Sequence, residues 1–448
     1  MGLRTRKIWN RSFTGTAILS VILLSLALVV ILGPIVSRGI KAFVFRGTVE
    51  FRTMQFELFQ RGIPDEIRRQ REAAALAREP VYEMMDDFEQ ELDEMEVVDR
   101  MDYQDKYRQL KERIEHLLGP EPNTPMPTLP RDRYGQTRMP QAREALHKVL
   151  YKTTYDHGDG DEMAEKVYEP REAEYEGTEL EGLFSYMEDN FEDMMRPQTE
   201  FYWQFLIDPS FDSHMFGGIW AAVLGTFYLT AGAIIVAVPM GVLSAIYLVE
   251  YAGDGPIISL LRTFISTLAG VPSIVFGLFG LAFFINTVGV SQSKSVIAGS
   301  LTLALLILPM IIRAAEEAIR AVPRTYKEAA LSLGAPRWRT ILTVTLPAAL
   351  PGIITGIIIS MGRAAGETAP IIFTAAVSVG KPLGPLQVFD NPTQALPWGI
   401  YNLATEHEAV DQIRHVQYGM VLTLVGLVLL LNLTAIILRA KVSRNLKG

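Results

Sequence analysis

The sequence predicts an all-α membrane protein with six transmembrane helices and a mostly helical extracytoplasmic insert between the first two. Two features carry that expectation. Apolar residues gather in runs of about 20, long enough to cross a hydrocarbon core of roughly 30 Å. Charge is segregated as well: residues 38–215 hold 40 of the 50 acids and 23 of the 42 bases, a net of −17, while the remainder carries +9. The whole chain of 448 residues, 49% hydrophobic with a net charge of −8, would by itself pass for a soluble protein. It contains no cysteine, which excludes disulfides, thiolate metal sites and cysteine nucleophiles.

The first apolar run, residues 16–36, follows Arg4, Arg6, Lys7 and Arg11 and precedes Arg38 and Lys41. No small-x-small cleavage site follows it, so it reads as an uncleaved span with a cytoplasmic N-terminus. Five further runs are 219–249, 264–288, 296–312, 350–379 and 418–438. Six spans return the C-terminus to the cytoplasm, and the loop charges agree with that parity. Arg262 falls between spans two and three. Arg313, Arg320, Arg324, Lys327, Arg337 and Arg339 fall between four and five, and Arg439, Lys441, Arg444 and Lys447 follow six. The expected divisions are 1–37 (cytoplasmic N-terminus and first span), 38–215 (acidic insert), 216–440 (five-span core) and 441–448 (cytoplasmic tail).

The insert is long enough to be a domain. Pro64 followed by Asp65 and Glu66 marks a helix start, with proline in the first turn and acids at the positive end of the dipole. Tyr103, Tyr107, Leu110, Ile114 and Leu117 step by 4, 3, 4 and 3, and Phe88, Leu92 and Met95 make the same stripe upstream. That spacing predicts one apolar face of a long helix. Residues 119–130 form a proline-rich break. The stretch after Asp156 is acidic and weakly patterned until aromatics return over 184–205. Asp156, Asp159, Asp161 and Glu162 miss the EF-hand spacing and read as a solvated acidic turn.

The inner loop between spans four and five holds the strongest motif. It reads Glu328-Ala329-Ala330-Leu331-Ser332-Leu333-Gly334-Ala335, and nine residues separate Gly334 from Val344-Thr345-Leu346-Pro347. A helix that starts after Pro323 would stop at Gly334, which takes a left-handed cap. Pro336 then forces a turn, and a second helix carries Arg337, Trp338 and Arg339 to the membrane surface. Such a hairpin can protrude from the membrane as a lever. The segment resembles the EAA loop of binding-protein-dependent ABC importer permeases, Glu-Ala-Ala-x3-Gly-x9-Ile-x-Leu-Pro, with valine in place of isoleucine. The resemblance implies that Glu328, Ala329, Ala330, Gly334 and Ala335 dock on an ATPase subunit and transmit its closure to the spans. An interfacial amphipathic helix with a snorkelling Arg-Trp-Arg belt is the plainer alternative.

Span five carries the second motif, Gly362-Arg363-Ala364-Ala365-Gly366-Glu367-Thr368-Ala369-Pro370. With a helix beginning near Pro351, a rise of about 1.5 Å per residue puts Arg363 some 18 Å deep. Ionisable residues at such depth are costly and mark transport paths. Gly352, Gly356, Arg363 and Glu367 share one face, with small residues that admit a second helix at one end and charge deeper in. Gly366 and Pro370 weaken the helix just beyond. A guanidinium offers a planar fork of donors to a phosphate oxyanion, and the carboxylate beside it can accept from a protonated phosphate oxygen or hold the arginine in an empty site. A self-neutralising i,i+4 pair is the structural alternative.

This segment resembles the Arg-Ala-x-Gly-Glu-Thr stretch of phosphate importer permeases. The following Ala369-Pro370-Ile371-Ile372-Phe373-Thr374 is similar to the A-type (PstA) members rather than their paralogous partners. The resemblance covers 216–440 well, the first span loosely and the insert not at all. It implies that Arg363 and Glu367 are required for transport, and that Arg313 at the inner end of span four belongs to the path. It further implies the type I ABC importer permease fold, an inner-membrane location, inorganic phosphate as cargo and a heterodimer with a homologous permease. Two ATPase subunits and an extracytoplasmic phosphate-binding protein would complete the assembly. ATP and magnesium would be held by the ATPase subunits, with no cofactor on this chain.

Other features are bland. Gly380-Lys381 is followed by Pro382 and is not a phosphate loop, so ATP hydrolysis is assigned to another chain. No catalytic arrangement, metal spacing or nucleic-acid partner is expected, and His157 and His214 lie outside the spans. Two rivals stay open: permeation of another oxyanion such as sulfate, molybdate or phosphonate, and a membrane sensor whose acidic domain reads an external signal. The insert's stripe and position suggest that it docks the binding protein or the partner permease.

Overall fold

Five helices in the computed structural model are long and apolar enough to cross a membrane: Ser12–Ala42, Trp220–Tyr251, Val296–Arg320, Arg337–Gly366 and Arg414–Lys441. Pro256–Leu268 and Ser273–Thr287 are long and apolar enough only as a pair, bent by 100° at the joint, which is the geometry of a broken span or a re-entrant loop. The structure describes residues 3–121, 127, 133, 135–156, 165–253, 255–407 and 410–447. Most of the proline-rich stretch 119–130, and His157, Asp159, Asp161 and Glu162, lie outside them. The chain divides into two compact units, one of Met1–Ala42 with Gln204–Gly448 and one of Phe43–Trp203.

In the first unit Val296–Arg320 is the central helix, with 67% of its apolar window buried. It packs on Trp220–Ile246 and on Leu346–Gly366. The first and last spanning helices have none of their windows buried within the chain. Their exposed leucine, valine and isoleucine faces suit lipid or other helices rather than water.

Two of the expected spans are interrupted. The run 264–288 is not one helix, because Pro272 has no amide to donate and is itself extended (φ −55°, ψ 137°). The run 350–379 is likewise shorter in its helix. The helix begins at Leu346 and ends at Gly366, Glu367 is extended (φ −77°, ψ 128°), and a short helix Ala369–Thr374 follows with Pro370 in its first turn. The chain beyond Thr374 then runs irregularly to Leu396–Thr405, a helix the apolar runs did not announce.

The second unit has its own core. Helices Pro64–Glu94 and Val97–Leu118 do carry the apolar stripe, but as a hairpin rather than one long helix, since Met95 is extended (φ −66°, ψ 152°). The reversal places Phe88 5.9 Å from Tyr103 and 5.1 Å from Tyr107, ring centre to ring centre. Phe88, Leu110, Ile114 and Leu117 are fully buried, with Tyr175, Leu183 and Met187 from the segments Arg171–Glu174 and Glu181–Asp189 and the turn between them. Two short antiparallel ribbons flank the helices, Val44–Gly47 with Gln198–Phe201 and Tyr151–Asp156 with Glu165–Pro170. The unit is mostly helical, as its composition predicts, and the ribbons are additions that the weak pattern after Asp156 concealed.

One polar knot lies inside this core. Arg78, which faces inward from the Pro64–Glu94 helix, donates to Glu50 (2.5 Å) and to the carbonyls of Leu118 (2.9 Å) and Met194 (2.7 Å). Each donor thus finds an acceptor, including a carbonyl at the end of Val97–Leu118 that has no partner within its own helix. Glu50 is 1% exposed. Arg78→Met therefore strands a buried carboxylate and is expected to destabilise the unit by about 3–5 kcal/mol. Thermal unfolding of the purified chain, with protease cleavage within 43–203 as readout, checks this; an unchanged midpoint would show that the knot contributes little.

Candidate functional site

The candidate site is built where Leu346–Gly366 runs antiparallel to Val296–Arg320. A side-chain carbon added at Gly352 would sit 2.7 Å from the Ala318 Cβ, and one at Gly356 would sit 2.3 Å from the Ala314 Cβ. Only glycine permits that approach, and it brings the face carrying Arg363 against the central helix. Arg363 Nη1 lies 3.3 Å from the Met310 sulfur. Met310 stands 14 residues from Val296 and 10 from Arg320, so the contact is near mid-helix. Depth along the bundle is read from this contact, because the helix starts before Pro351.

Arg363 Nε donates to Glu367 Oε1 at 3.1 Å, with the two side chains 38% and 19% exposed. The pair does not lie on one continuous helix. Glu367 is the residue after the last helical one, and the bond closes across the break. Arg363 in the last turn is favoured by the negative end of the helix dipole, whereas a carboxylate there is not, so the arginine is what holds Glu367 in place. Glu367 also borders a crevice of about 10 Å³, room for about one water, shared with Thr226, Thr230, Ala395 and Pro397. The Thr230 hydroxyl is buried and has no hydrogen-bond partner among the described residues. Neither threonine was singled out from sequence, where an isolated threonine in an apolar run has no distinguishing pattern.

Arg313 lies one turn from Met310 on the central helix, about 4.5 Å along the axis. It donates to the Ser266 hydroxyl and lines a separate cavity of about 310 Å³ with Arg262, Ile265, Ser266, Glu316, Glu317 and Arg320. Glu316 takes bonds from both Arg262 (3.1 Å) and Arg320 (2.6 Å). The structure thus joins Arg363 to Glu367 and places Arg313 in a neighbouring polar cavity whose lining contains neither.

The inner-loop motif forms a helix, Arg324–Ser332, that buries none of its residues. Its end is a complete Schellman cap: Ala335 N donates to Ala330 O (3.2 Å), Gly334 N donates to Leu331 O (2.9 Å), and Gly334 has φ +83°. Glu328 and Ala329 are exposed, Ala330 and Ala335 half-buried, and Leu333 is 89% exposed. Pro336 starts the turn Arg337–Thr340, which continues through a π-helical turn, Ile341–Thr345, into Leu346–Gly366. The exposed helix is therefore joined, through the short link Leu333–Pro336 and then continuous helical turns, to the one carrying Arg363.

A second polar cluster involves His214, on a turn where Asp212, Ser213 and His214 all have left-handed backbones (φ 46°, 51° and 73°). His214 is buried, with its Nε2 3.5 Å from Gln394 Nε2, and Gln394 donates to Ser378 O at 2.8 Å. Burial, helped by nearby His407 and opposed by a bond to the Ser378 backbone, pulls the imidazole down to about 4.

Residues 237–448 match the family described as binding-protein-dependent transport system inner membrane component. Among curated relatives, the phosphate transport system permease protein PstA 1 of Mycobacterium tuberculosis (strain CDC 1551 / Oshkosh) is 39% identical over 229 residues, 51% of this chain and 73% of the relative. The PstA protein of Mycobacterium leprae (strain TN) is 39% identical over 232 residues, 52% and 74% of the two chains. A probable ABC transporter permease protein, YqgI of Bacillus subtilis (strain 168), is 34% identical over 266 residues, 57% and 87%. Since the same 229 residues make 51% of one chain and 73% of the other, this chain is the longer.

A histidine depressed from 6.5 to about 4 stabilises the fold above pH 6.5, and that contribution, on the order of 3 kcal/mol, is lost as pH falls toward 4. His214→Gln is expected to flatten the fall in melting temperature between those limits relative to wild type. Parallel curves for the two proteins would mean that His214 titrates normally.

Proposed function

The chain belongs to the PstA family of phosphate transport system permeases, and from that membership we propose that it is the membrane-spanning subunit of an ATP-driven importer of inorganic phosphate. Its fold is that of the type I ABC importer permeases, and it is a multi-pass membrane protein. The observation that carries the cargo assignment is the Arg363–Glu367 pair, held beside Met310 at mid-helix and part-open on its arginine side. A fixed guanidinium recognises an oxyanion by paired donors, and Glu367 gives the arginine a partner when no anion is present. A phosphate arriving at Arg363 would compete with Glu367, and the carboxylate could then accept from the anion's own proton.

In this reading the chain pairs with a homologous permease, with two ATPase subunits at the cytoplasmic face and a phosphate-binding protein outside. Both termini are cytoplasmic. ATP and magnesium act on the ATPase subunits, and the exposed helix with Glu328, Ala329 and Ala330, capped at Gly334 and Ala335, is their point of attachment. Closure of the ATPases shifts that helix, and because it leads covalently into Leu346–Gly366, the shift reaches Arg363 and the neighbouring Arg313. The differential affinity of ATP and of the loaded binding protein for the two states drives alternation. The acidic unit serves to dock the binding protein or the partner permease; its net negative charge argues against a phosphate site there.

Uptake of labelled phosphate at low external concentration tests the cargo and the path together. Arg363→Ala, once shown to reach the membrane, is expected to lose at least about ten-fold in uptake, equivalent to about 1.4 kcal/mol, and Arg363→Lys to recover only part of it because the fork is gone. Normal uptake by both variants would reduce Arg363 to a packing role. If sulfate, molybdate or phosphonate suppresses the uptake of labelled phosphate more strongly than unlabelled phosphate does, the cargo is that oxyanion; a deletion that leaves uptake intact points to a sensor. Replacing residues 60–200 by a short linker is expected to raise the concentration of binding protein needed for half-maximal uptake. Unchanged kinetics would discard the docking role.

A further inference from the structure

A continuous series of polar contacts runs from the exposed Arg324–Ser332 helix to Arg313, made by residues outside both motifs. Lys327 pairs with Glu250, 77 positions away, on the π-helical turn Tyr247–Tyr251 that ends the second span. Their side chains are only 20% and 16% exposed, so the pair is shielded from water far more than an ordinary surface ion pair. The same turn offers the Leu248 carbonyl to Arg262 Nη2 at 2.9 Å, and Arg262 Nε reaches Glu316 at 3.1 Å. Glu316 lies one turn from Arg313 on the central helix. Arg313 in turn donates to Ser266, whose hydroxyl donates to the Arg262 carbonyl at 2.7 Å.

Two physical features make this series more than a set of neighbours. The Arg324–Ser332 helix buries none of its own residues, and it packs on the turns that follow it in the chain. Among the described residues, the hydrogen bond or ion pair it makes to another span is the one from Lys327 to Glu250. Without that tie, a push on the helix can be absorbed as sliding over its own turn. The π turn, in addition, holds one residue more than an α turn does, a geometry that marks functional positions in helices and that can be gained or lost as a unit. It is the kind of discrete element through which a displacement is passed on rather than damped.

We propose that Lys327 and Glu250 are positioning residues forming a strut that carries movement of the Arg324–Ser332 helix into the second span and, through Arg262 and Glu316, to the cavity around Arg313. This rests on the reading of that helix as the ATPase attachment. The strut supplies a second line of transmission, parallel to the covalent one through Leu346–Gly366, so that the central helix is driven from both of the helices packed on it when the ATPases close.

The test uses the complete transporter, purified through a tag on this chain and reconstituted in liposomes, with ATP hydrolysis and uptake of labelled phosphate measured on the same preparation. Lys327→Glu and Glu250→Lys are each expected to keep ATP hydrolysis within about two-fold while uptake per ATP falls about ten-fold or more. The double exchange K327E/E250K is expected to restore at least half of the wild-type ratio. A purely structural role would lower hydrolysis and uptake together and leave their ratio unmoved, which overturns the proposal. So does wild-type coupling in the single variants, or a double exchange no better than either. A wild-type preparation in which no ATPase subunit accompanies the chain overturns the underlying reading instead, and is recognised before any variant is compared.

Discussion

The membrane unit depends on the closeness with which two helices pass. Gly352 and Gly356 leave room for Ala318 and Ala314, and there is no space at either crossing for even a methyl group. Within a bilayer lipid tails are as apolar as leucine, so helices gain little by hiding apolar surface from them. Close packing of small residues then supplies the attraction. Because the two helices are antiparallel and in contact at those glycines, their next turns are in register as well, and Arg363 arrives at Met310. A charged side chain at that depth is costly in lipid, and its position against the central helix, with Glu367 as partner, is what makes it tolerable.

The breaks in the spans belong to the same logic. An unpaired backbone amide or carbonyl in hydrocarbon costs several kcal/mol, so irregular chain within membrane depth survives only where protein or a polar cavity covers it. The helix that ends at Gly366 stops beside such a crevice, and Glu367 stands in it. Just before the 100° bend after Leu268, Ser266 lines the cavity that holds Arg313. Interruptions in this unit fall near its polar groups, one beside the narrow crevice at Glu367 and one beside the charged cavity at Arg313.

The Phe43–Trp203 unit solves a different problem. It is rich in acids, yet its interior is a cluster of methionines, leucines and aromatic rings into which a charged knot at Arg78 is set. Its acids are mostly at the surface, several of them paired along helices, as in Lys106 with Asp102 and Lys148 with Glu144. Such pairs add little stability each. The folded unit therefore owes its shape to the buried stripe rather than to its surface charges.

From the sequence alone the class of the molecule, the motif helix with its glycine cap and the face shared by Gly352, Gly356 and Arg363 were all legible. These are local properties: the length of an apolar run, a repeat of three and four, a glycine where the backbone must turn left-handed. What the tertiary structure alone decided is non-local. The apolar run over 264–288 is equally hydrophobic whether straight or bent, and only packing beside the central helix turns the Pro272 break into a 100° corner. The stripe from Phe88 to Leu117 has the same spacing in one long helix as in a hairpin, and the hairpin prevails because it buries Phe88 against Tyr103 and Tyr107. Glu250 and Lys327, 77 residues apart, and the buried His214 have no periodicity to betray them; such pairings exist only once distant segments are brought together, since the free energy that selects them is that of burial and not of local chain preference.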